Sequence, residues 1–265
     1  MAELAYLHLV RAQVRAQAQY RLSFLLDAIG STLFTTLDLV AIVVLFRVTR
    51  TLAGFGFREA FLIATLAGLG FSVSDLCAGN VERLRTYVRS GLLDAILVRP
   101  RGVLPQLMAT DFTLRRVGQV VQGAVALALA IRLAHVRLTP AHLALLVLTP
   151  LCGAVFFGSL FVAGATVAFY WIDSGELANS FTYGGRTFTQ YPMTVYGGLF
   201  RRVFAYGLGF AFVAYYPGLL LLDRRDPLGA PAWLGWSSPA VATLAVGLAV
   251  LAWRTGVRHY RSTGS

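Results

Sequence analysis

The chain has 265 residues, of which 57% are apolar and only 13% are charged, about half the charged fraction of soluble domains. Its net charge is +11, but the basic residues lie in short stretches between apolar runs, which excludes the single basic face of a nucleic-acid-binding domain. Every one of its 23 basic residues is arginine, so a lysine-dependent ATP site is excluded and any ATP must be bound by a second chain.

The N-terminal part predicts an interfacial helix followed by a first membrane span. Residues 1–21 are expected to lie along the inner membrane surface, and the span covers about 22–46. Within the span a polar stripe recurs at i, i+4, i+8 and i+11: Asp27, Ser31, Thr35 and Asp38. Eleven residues at about 100° each return to within about 20° of the start, so both carboxylates lie on one side. A charge in mid-bilayer costs at least about 2.5 kcal/mol, so this side either lines a substrate pathway or packs against another helix.

Five further apolar runs complete the prediction of an all-α integral membrane protein with six transmembrane helices in a single domain, 1–265. The predicted spans are about 59–78, 117–133, 141–170, 203–222 and 240–253. Residues 172–202 are polar and glycine-containing and are placed on the inner side. With both ends inside, the inner segments hold more arginines than the outer ones, as the positive-inside rule requires. The predicted location is therefore the cell (inner or plasma) membrane, with both termini cytoplasmic.

The longest inner loop, residues 79–116, is also the most basic stretch of the chain. Its apolar residues recur at spacings of three and four and predict one side of a helix: Val81, Leu84, Val88, Leu92 and Ala95. Gly91 interrupts this helix, and Arg99-Pro100 ends or redirects it. A basic amphipathic segment of this kind fits either anionic lipid headgroups or a docked partner protein.

Two stretches resemble a known family. The run Ser90–Pro100, S-G-L-L-D-A-I-L-V-R-P, resembles the G-x-L-D-x-x-L-x-R-P signature of ABC-2 type permeases, in their six-span subgroup of roughly 260 residues. Gln190-Tyr191-Pro192 and the run Phe212–Pro217, F-V-A-Y-Y-P, resemble the Y-P and A-F-x-x-Y-Y-P patterns of the same subgroup. The likeness covers nearly the whole length in span number and loop order. It departs at Gly197-Gly198, where the family often has a basic residue or proline.

The resemblance implies the permease subunit of an ATP-driven exporter, without a catalytic, cofactor-binding or metal-binding site of its own. Two copies or two paralogues would pair to form the substrate pathway, and ATP and Mg²⁺ would bind a separate ATP-binding subunit. The cytoplasmic coupling helix between spans two and three would dock on that subunit through these residues: Arg89, Gly91, Leu92, Asp94, Leu97, Arg99, Pro100 and Arg101. Asp94 and Arg99 would make the charged contacts, although a helix cap or an intrahelical pair also accounts for Asp94.

The substrate is predicted only by class, as an amphiphilic small molecule, drug or lipid-like compound. The candidate pathway residues are Asp27, Ser31, Thr35, Asp38 and Phe210. Two other functions are open alternatives. A secondary transporter would need ionisable groups repeated at mid-membrane, and a membrane-embedded lipid-modifying enzyme would need histidines or aspartates clustered at one depth near an interface. A scaffold that transports nothing is a third possibility.

Overall fold

The computed structural model describes residues 21–99, 102–109, 114–171 and 175–260, except for the side chains at 21–28, 31–32, 34–35, 38–39, 109 and 114. Within these ranges the chain consists of helices joined by short connections and has no β-strand. The interfacial helix predicted for residues 1–21 falls outside the described residues apart from the backbone of Arg21, so it stays a prediction.

Five long helices coincide with predicted spans to within a few residues at most of their ends. In chain order the helices are α1 (Arg21–Val48), α2 (Phe57–Ala78), α3 (Leu84–Arg89), α4 (Leu92–Leu97), α5 (Val103–Ala109), α6 (Leu114–Leu133), α7 (Pro140–Thr166), α8 (Gly175–Thr189), α9 (Gly198–Arg201), α10 (Tyr215–Leu221) and α11 (Ser238–His259). The long ones are α1, α2, α6, α7 and α11. Among the described residues, length and composition alone allow α2, α6, α7 and α11 to cross a membrane, and a bent pair around α9 and α10 would make a fifth if it counts as one span.

Helix α2 lies at the centre of the fold and is buried along most of its length. It packs mainly against α7 and α6, and α11 packs against α7. Gly70 and Gly153 allow α2 and α7 to approach closely, since a Cβ atom at Gly70 would fall 3.2 Å from the Cα atom of Gly153. The sequence therefore places small residues where two apolar helices cross.

The bundle has two ends that its polar contacts distinguish. One end carries residues 79–99, which we call the elbow. At this end the hydroxyl of Tyr260, just beyond α11, donates a hydrogen bond of 3.1 Å to Asp94 Oδ1. At the opposite end, Arg224 Nη2 donates to the carbonyl of Gly54 in the α1–α2 loop at 2.7 Å. The C-terminal end of α11 and the elbow thus lie on the same side of the bundle.

Helix α8 and the residues that follow it run from the elbow end to the opposite end, although residues 172–202 were predicted to stay on the inner side. Near its start, Gly175 lies against the guanidinium group of Arg85 in the elbow. Its 15 residues extend about 22 Å. Beyond its end, the Thr194 hydroxyl donates to the carbonyl of Ala53 in the α1–α2 loop at 3.3 Å. Residues 193–195 therefore lie far from the elbow.

The predicted fifth span, about 203–222, is not one continuous helix. Helix α9 continues as a π-helix, Arg202–Gly207, and the chain then bends by 64° before it runs on through α10. Gly209 makes the bend with φ +86°, a conformation that glycine adopts readily. After α10, the carboxylate of Asp223 accepts a hydrogen bond of 2.6 Å from Arg137, which lies in the α6–α7 loop. This loop is at the end opposite the elbow, where residues 193–195 also lie. Residues 198–221 thus form a re-entrant hairpin, which enters and leaves the bundle by the end opposite the elbow.

The predictions for α8 and for the fifth span were wrong because hydropathy shows only whether a segment is apolar. It does not show whether the segment crosses the bundle or turns back inside it. The hairpin is apolar because its tip is buried in the protein, where Phe210 packs its ring against Phe156 and Phe188. Helix α8 has a polar composition, but its buried threonine hydroxyls are bonded within the helix, as Thr182 is to the carbonyl of Ala178 at 3.1 Å. A polar sequence can therefore run through the interior when its polar groups are satisfied there.

Candidate functional site

The elbow is two short helices set at an angle by one glycine. Gly91 has φ +69° and separates α3 from α4, in a left-handed conformation that costs most other residues about 1–2 kcal/mol. Gly91 therefore fixes the direction of α4, and the predicted interruption of the helix at this residue is confirmed.

The same turn changes which residues of the elbow are buried. Val81, Leu84 and Val88 are buried as the spacing predicts. Beyond Gly91 the predicted pattern is wrong, because Leu92 is 56% exposed, and Leu93 is buried instead. A left-handed residue rotates the following helix about its axis, so a helical repeat cannot be carried across it.

A buried ion pair fastens the base of the elbow to the bundle. Arg116 at the start of α6 lies with Nε 3.2 Å from Asp75 Oδ2 at the end of α2, and both side chains are more than 85% buried. Arg116 Nη1 also donates to Asn80 Oδ1 at 2.6 Å, and Asn80 Nδ2 donates to the Met108 carbonyl at 3.3 Å. The pair and its hydrogen bonds thus join α2, the elbow, α5 and α6.

Two tyrosine hydroxyls attach the elbow to two other helices. Tyr183 of α8 donates to Glu82 Oε2 at 3.2 Å. Tyr260, one residue past α11, donates to Asp94 Oδ1 at 3.1 Å. Burial and the neighbouring Asp94 raise the pKa of the Tyr260 hydroxyl, so it remains a donor at neutral pH. A displacement of the elbow would therefore act on α2, α6, α8 and α11 together.

The remaining face of the elbow is exposed and both apolar and basic. Val98 is 84% exposed and Leu97 is 39% exposed, and the side chains of Arg89 and Arg99 are exposed beside them. Exposed apolar residues next to charged ones are typical of surfaces that bind a protein or a membrane. One side of the elbow is thus attached to the bundle, and the other side is exposed.

The predicted coupling residues divide between these two sides. Arg89, Leu92, Leu97 and Arg99 lie on the exposed face, and Asp94 is half-buried against Tyr260. Gly91 forms the turn, while Pro100 and Arg101 lie outside the described residues. Sequence reasoning did not identify Arg116, Tyr183 or Tyr260 as attachment points, because their partners are distant in sequence and no local spacing marks them.

The predicted pathway residues are only partly described. The backbone of α1 confirms a helix over the polar stripe, but the side chains of that stripe are outside the described part: Asp27, Ser31, Thr35 and Asp38. Phe210 is fully buried at the tip of the hairpin, and packing in the aromatic core accounts for its position. A pathway role for these five residues stays a prediction.

One comparison with known proteins gives a match. A family model described as "ABC-2 family transporter protein" matches residues 32–264 of the chain. No curated protein and no solved structure matches it.

Proposed function

The chain belongs to the ABC-2 family of transporter proteins, and on that premise we propose that it is the permease subunit of an ATP-driven exporter. It is a multi-pass membrane protein and a transport subunit rather than an enzyme. In the proposed complex, a separate ATP-binding subunit carries ATP and Mg²⁺, and a second copy or a paralogue of this chain completes the substrate pathway.

The observation that carries the proposal is the two-sided construction of the elbow. Its outward face exposes Val98 and Arg99, which suits contact with another protein. Its inward face is bonded to α6, α8 and α11 through Arg116, Tyr183 and Tyr260. A force applied to the outward face by a closing ATP-binding subunit would therefore reach several membrane helices at once.

In the proposed topology the elbow end is cytoplasmic and the chain crosses the membrane six times. The crossings are α1, α2, α6, α7, α8 and α11, and the re-entrant hairpin replaces the fifth span expected from hydropathy. The arginine content of the elbow and of the C-terminal residues supports the cytoplasmic assignment. Both termini are then on the cytoplasmic side, as α11 ends next to Asp94.

The substrate is proposed to be an amphiphilic small molecule, drug or lipid-like compound. The pathway would lie where two permease chains meet, and the polar stripe of α1 would contribute to it. Such a substrate suits an exporter whose pathway is bounded by both protein and lipid.

The experiment uses this chain co-expressed with the ATP-binding subunit that the proposal requires. We expect a V98D,R99E double variant to lower co-purification of that subunit at least tenfold, because it places charge and reversed charge on the exposed face of the elbow. Membrane insertion should be unchanged, since neither side chain is buried. The readouts are the amount of ATP-binding subunit retained and its rate of ATP hydrolysis.

The matched control is Arg225→Glu, an exposed arginine at the opposite end of the bundle. This variant should retain the ATP-binding subunit at the unmodified level. Full retention by V98D,R99E would reject the elbow as the docking surface and leave contact with lipid headgroups as the explanation for its exposed residues. Equal loss in both variants would indicate a general effect of charge reversal, which also rejects the proposal.

A further inference from the structure

Helices α2 and α7 touch backbone to backbone near the middle of each helix. A Cβ atom at Gly70 would fall 3.2 Å from the carbonyl oxygen of Pro150 as well as from the Cα atom of Gly153. A Cβ atom at Gly153 would fall 3.4 Å from Val213 Cγ1, so the hairpin packs against the same point. We call the contact between Gly70, Pro150 and Gly153 the crossing, because α2 and α7 meet there without an intervening side chain.

Helix α7 has weakened main-chain bonding at the crossing. Pro150 lies inside this helix of 27 residues and has no N–H group, so the carbonyl of Leu146 loses the donor that a helix normally supplies. Sharp bends in helices occur mostly at prolines for this reason. Gly153 follows within one turn and adds no side chain that would hold α7 in one orientation. A change in the direction of α7 is therefore easiest at the crossing.

Two buried hydroxyl groups flank the crossing. Thr149 and Ser74 are each 1% exposed, and among the described residues Thr149 Oγ1 and Ser74 Oγ have no hydrogen-bond partner. Thr149 precedes Gly153 by one turn of α7, and Ser74 follows Gly70 by one turn of α2. Each hydroxyl is thus about 6 Å from the crossing along its helix, Ser74 towards the elbow and Thr149 towards the opposite end.

Other buried hydroxyls of the same two helices are hydrogen-bonded. Each donates to a carbonyl four residues earlier, at 2.9 Å for Thr65, 2.8 Å for Ser159 and 2.7 Å for Thr166. The helices therefore offer acceptors to serine and threonine, and the exceptions are the two hydroxyls beside the crossing. A buried hydroxyl without a partner lowers stability, so this arrangement of α2 and α7 has a cost that another arrangement can remove.

We propose that the crossing is a pivot at which α7 changes its tilt against α2 during the transport cycle, and that Thr149 and Ser74 become hydrogen-bonded only in the second orientation. The acceptor for Thr149 is the carbonyl of Leu146, which Pro150 leaves without its helical donor. The inference rests on the proposed function, because a transporter alternates between two states. Helix α2 leads directly into the elbow, so a force on the elbow reaches the pivot along one continuous helix.

The first test removes a hydroxyl without changing the shape of the side chain. Thr149→Val in the purified full chain in nanodiscs should raise Tm by about 3 °C, because the present orientation no longer contains the unbonded group. In the complex with the ATP-binding subunit, the same variant should hydrolyse ATP at least fivefold more slowly, because the second orientation loses its hydrogen bond. Thr166→Val is the matched control on the same helix. Its hydroxyl is bonded already, so Tm should not rise and hydrolysis should stay within twofold of the unmodified rate.

The second test measures the movement of α7 in the same complex. Spin labels at Arg58→Cys and Leu143→Cys occupy exposed positions at the starts of α2 and α7, with Cys77 and Cys152 replaced by alanine. Leu143 is about 15 Å from the crossing along α7, so a bend of about 20° moves it by about 5 Å. We expect Mg²⁺ and a non-hydrolysable ATP analogue to change the distance between the labels by about this amount, and Thr149→Val to suppress the change.

Three results would overturn the inference. A label distance that the nucleotide does not change shows that α7 is fixed against α2. A higher Tm for Thr149→Val with unchanged hydrolysis and unchanged label movement shows that the unbonded hydroxyl is only a packing defect. An unchanged Tm shows that the hydroxyl is already satisfied. A failure of the docking proposal is distinguishable, because the unmodified chain would then neither retain the ATP-binding subunit nor stimulate it, whereas the Tm comparison uses the chain alone.

Discussion

The ion pair between Asp75 and Arg116 gives the sharpest quantitative prediction. Replacing Arg116 by leucine leaves the Asp75 carboxylate buried without its cation, and removing one partner of a buried pair costs about 3–5 kcal/mol. Asn80 loses its 2.6 Å donor in the same variant, which places the expected loss in the upper half of that range. Replacing Asp75 and Arg116 together by leucine should cost less than either single change, because no charge is then left buried.

The assay is the free energy of unfolding measured by denaturant titration in mild detergent, for the two single variants and the double variant. The Arg137–Asp223 pair at the opposite end is the matched control, because its side chains are 72% and 46% exposed. Arg137→Leu should cost no more than about 1 kcal/mol. The reasoning fails if Arg116→Leu costs no more than Arg137→Leu, or if the losses of Asp75→Leu and Arg116→Leu add in the double variant.

Three further predictions concern the turn at Gly91, the attachment of the elbow by Tyr260, and the packing of Gly185 against Phe210. Gly91→Ala forces alanine into φ +69°, which is unfavourable for a residue with a Cβ atom. We therefore expect normal membrane insertion but reduced stimulation of the ATP-binding subunit. An unchanged rate of ATP hydrolysis would contradict this expectation. Tyr260→Phe removes the 3.1 Å bond to Asp94 and about 0.5–1.5 kcal/mol, and hydrogen exchange should become faster in the elbow but not in α2. Gly185→Val should lower Tm, because a Cβ atom there falls 2.5 Å from the Phe210 ring, and adding Phe210→Leu should restore part of the loss.

The elbow shows how far sequence periodicity reaches. The repeat of Val81, Leu84 and Val88 was sufficient to predict their burial, since a regular helix carries them on one face. The prediction for Leu92 and Ala95 was wrong, because both are exposed beyond the turn at Gly91. The sequence identified the interrupting glycine but contained no measure of the rotation that its positive φ produces.

The hairpin shows where hydropathy is insufficient. An apolar run at 203–222 predicts a span, but the chain bends at Gly209, and the contacts of Thr194 and Asp223 place both ends of this segment at the end opposite the elbow. Helix α8 and the residues that follow it extend between the two ends despite Arg186 and the threonines of α8. Long-range contacts, such as that between Thr194 and Ala53, determine which segment crosses the bundle. The pattern of a single sequence does not contain these contacts.

Several arginines lie at the end opposite the elbow, where the positive-inside rule expects few. Two of them are paired with acids of other segments: Arg137 lies 2.6 Å from Asp223, and Arg224 lies 2.5 Å from Glu59. A paired arginine adds little net charge to its end of the bundle. Pairing does not by itself distinguish the two ends, because Arg116 at the elbow end is paired with Asp75 in the same way.

The contrast between α8 and the hairpin has a consequence for biosynthesis. A membrane-insertion machinery that selects segments by hydrophobicity would accept the apolar run of the hairpin and reject α8, in which one arginine alone adds about 2.5–3.5 kcal/mol near the middle of a bilayer. Helix α8 would then enter only together with the helices that surround it, late in assembly. A reporter fused after Thr189 in a shortened chain would for this reason record a topology different from that of the finished protein.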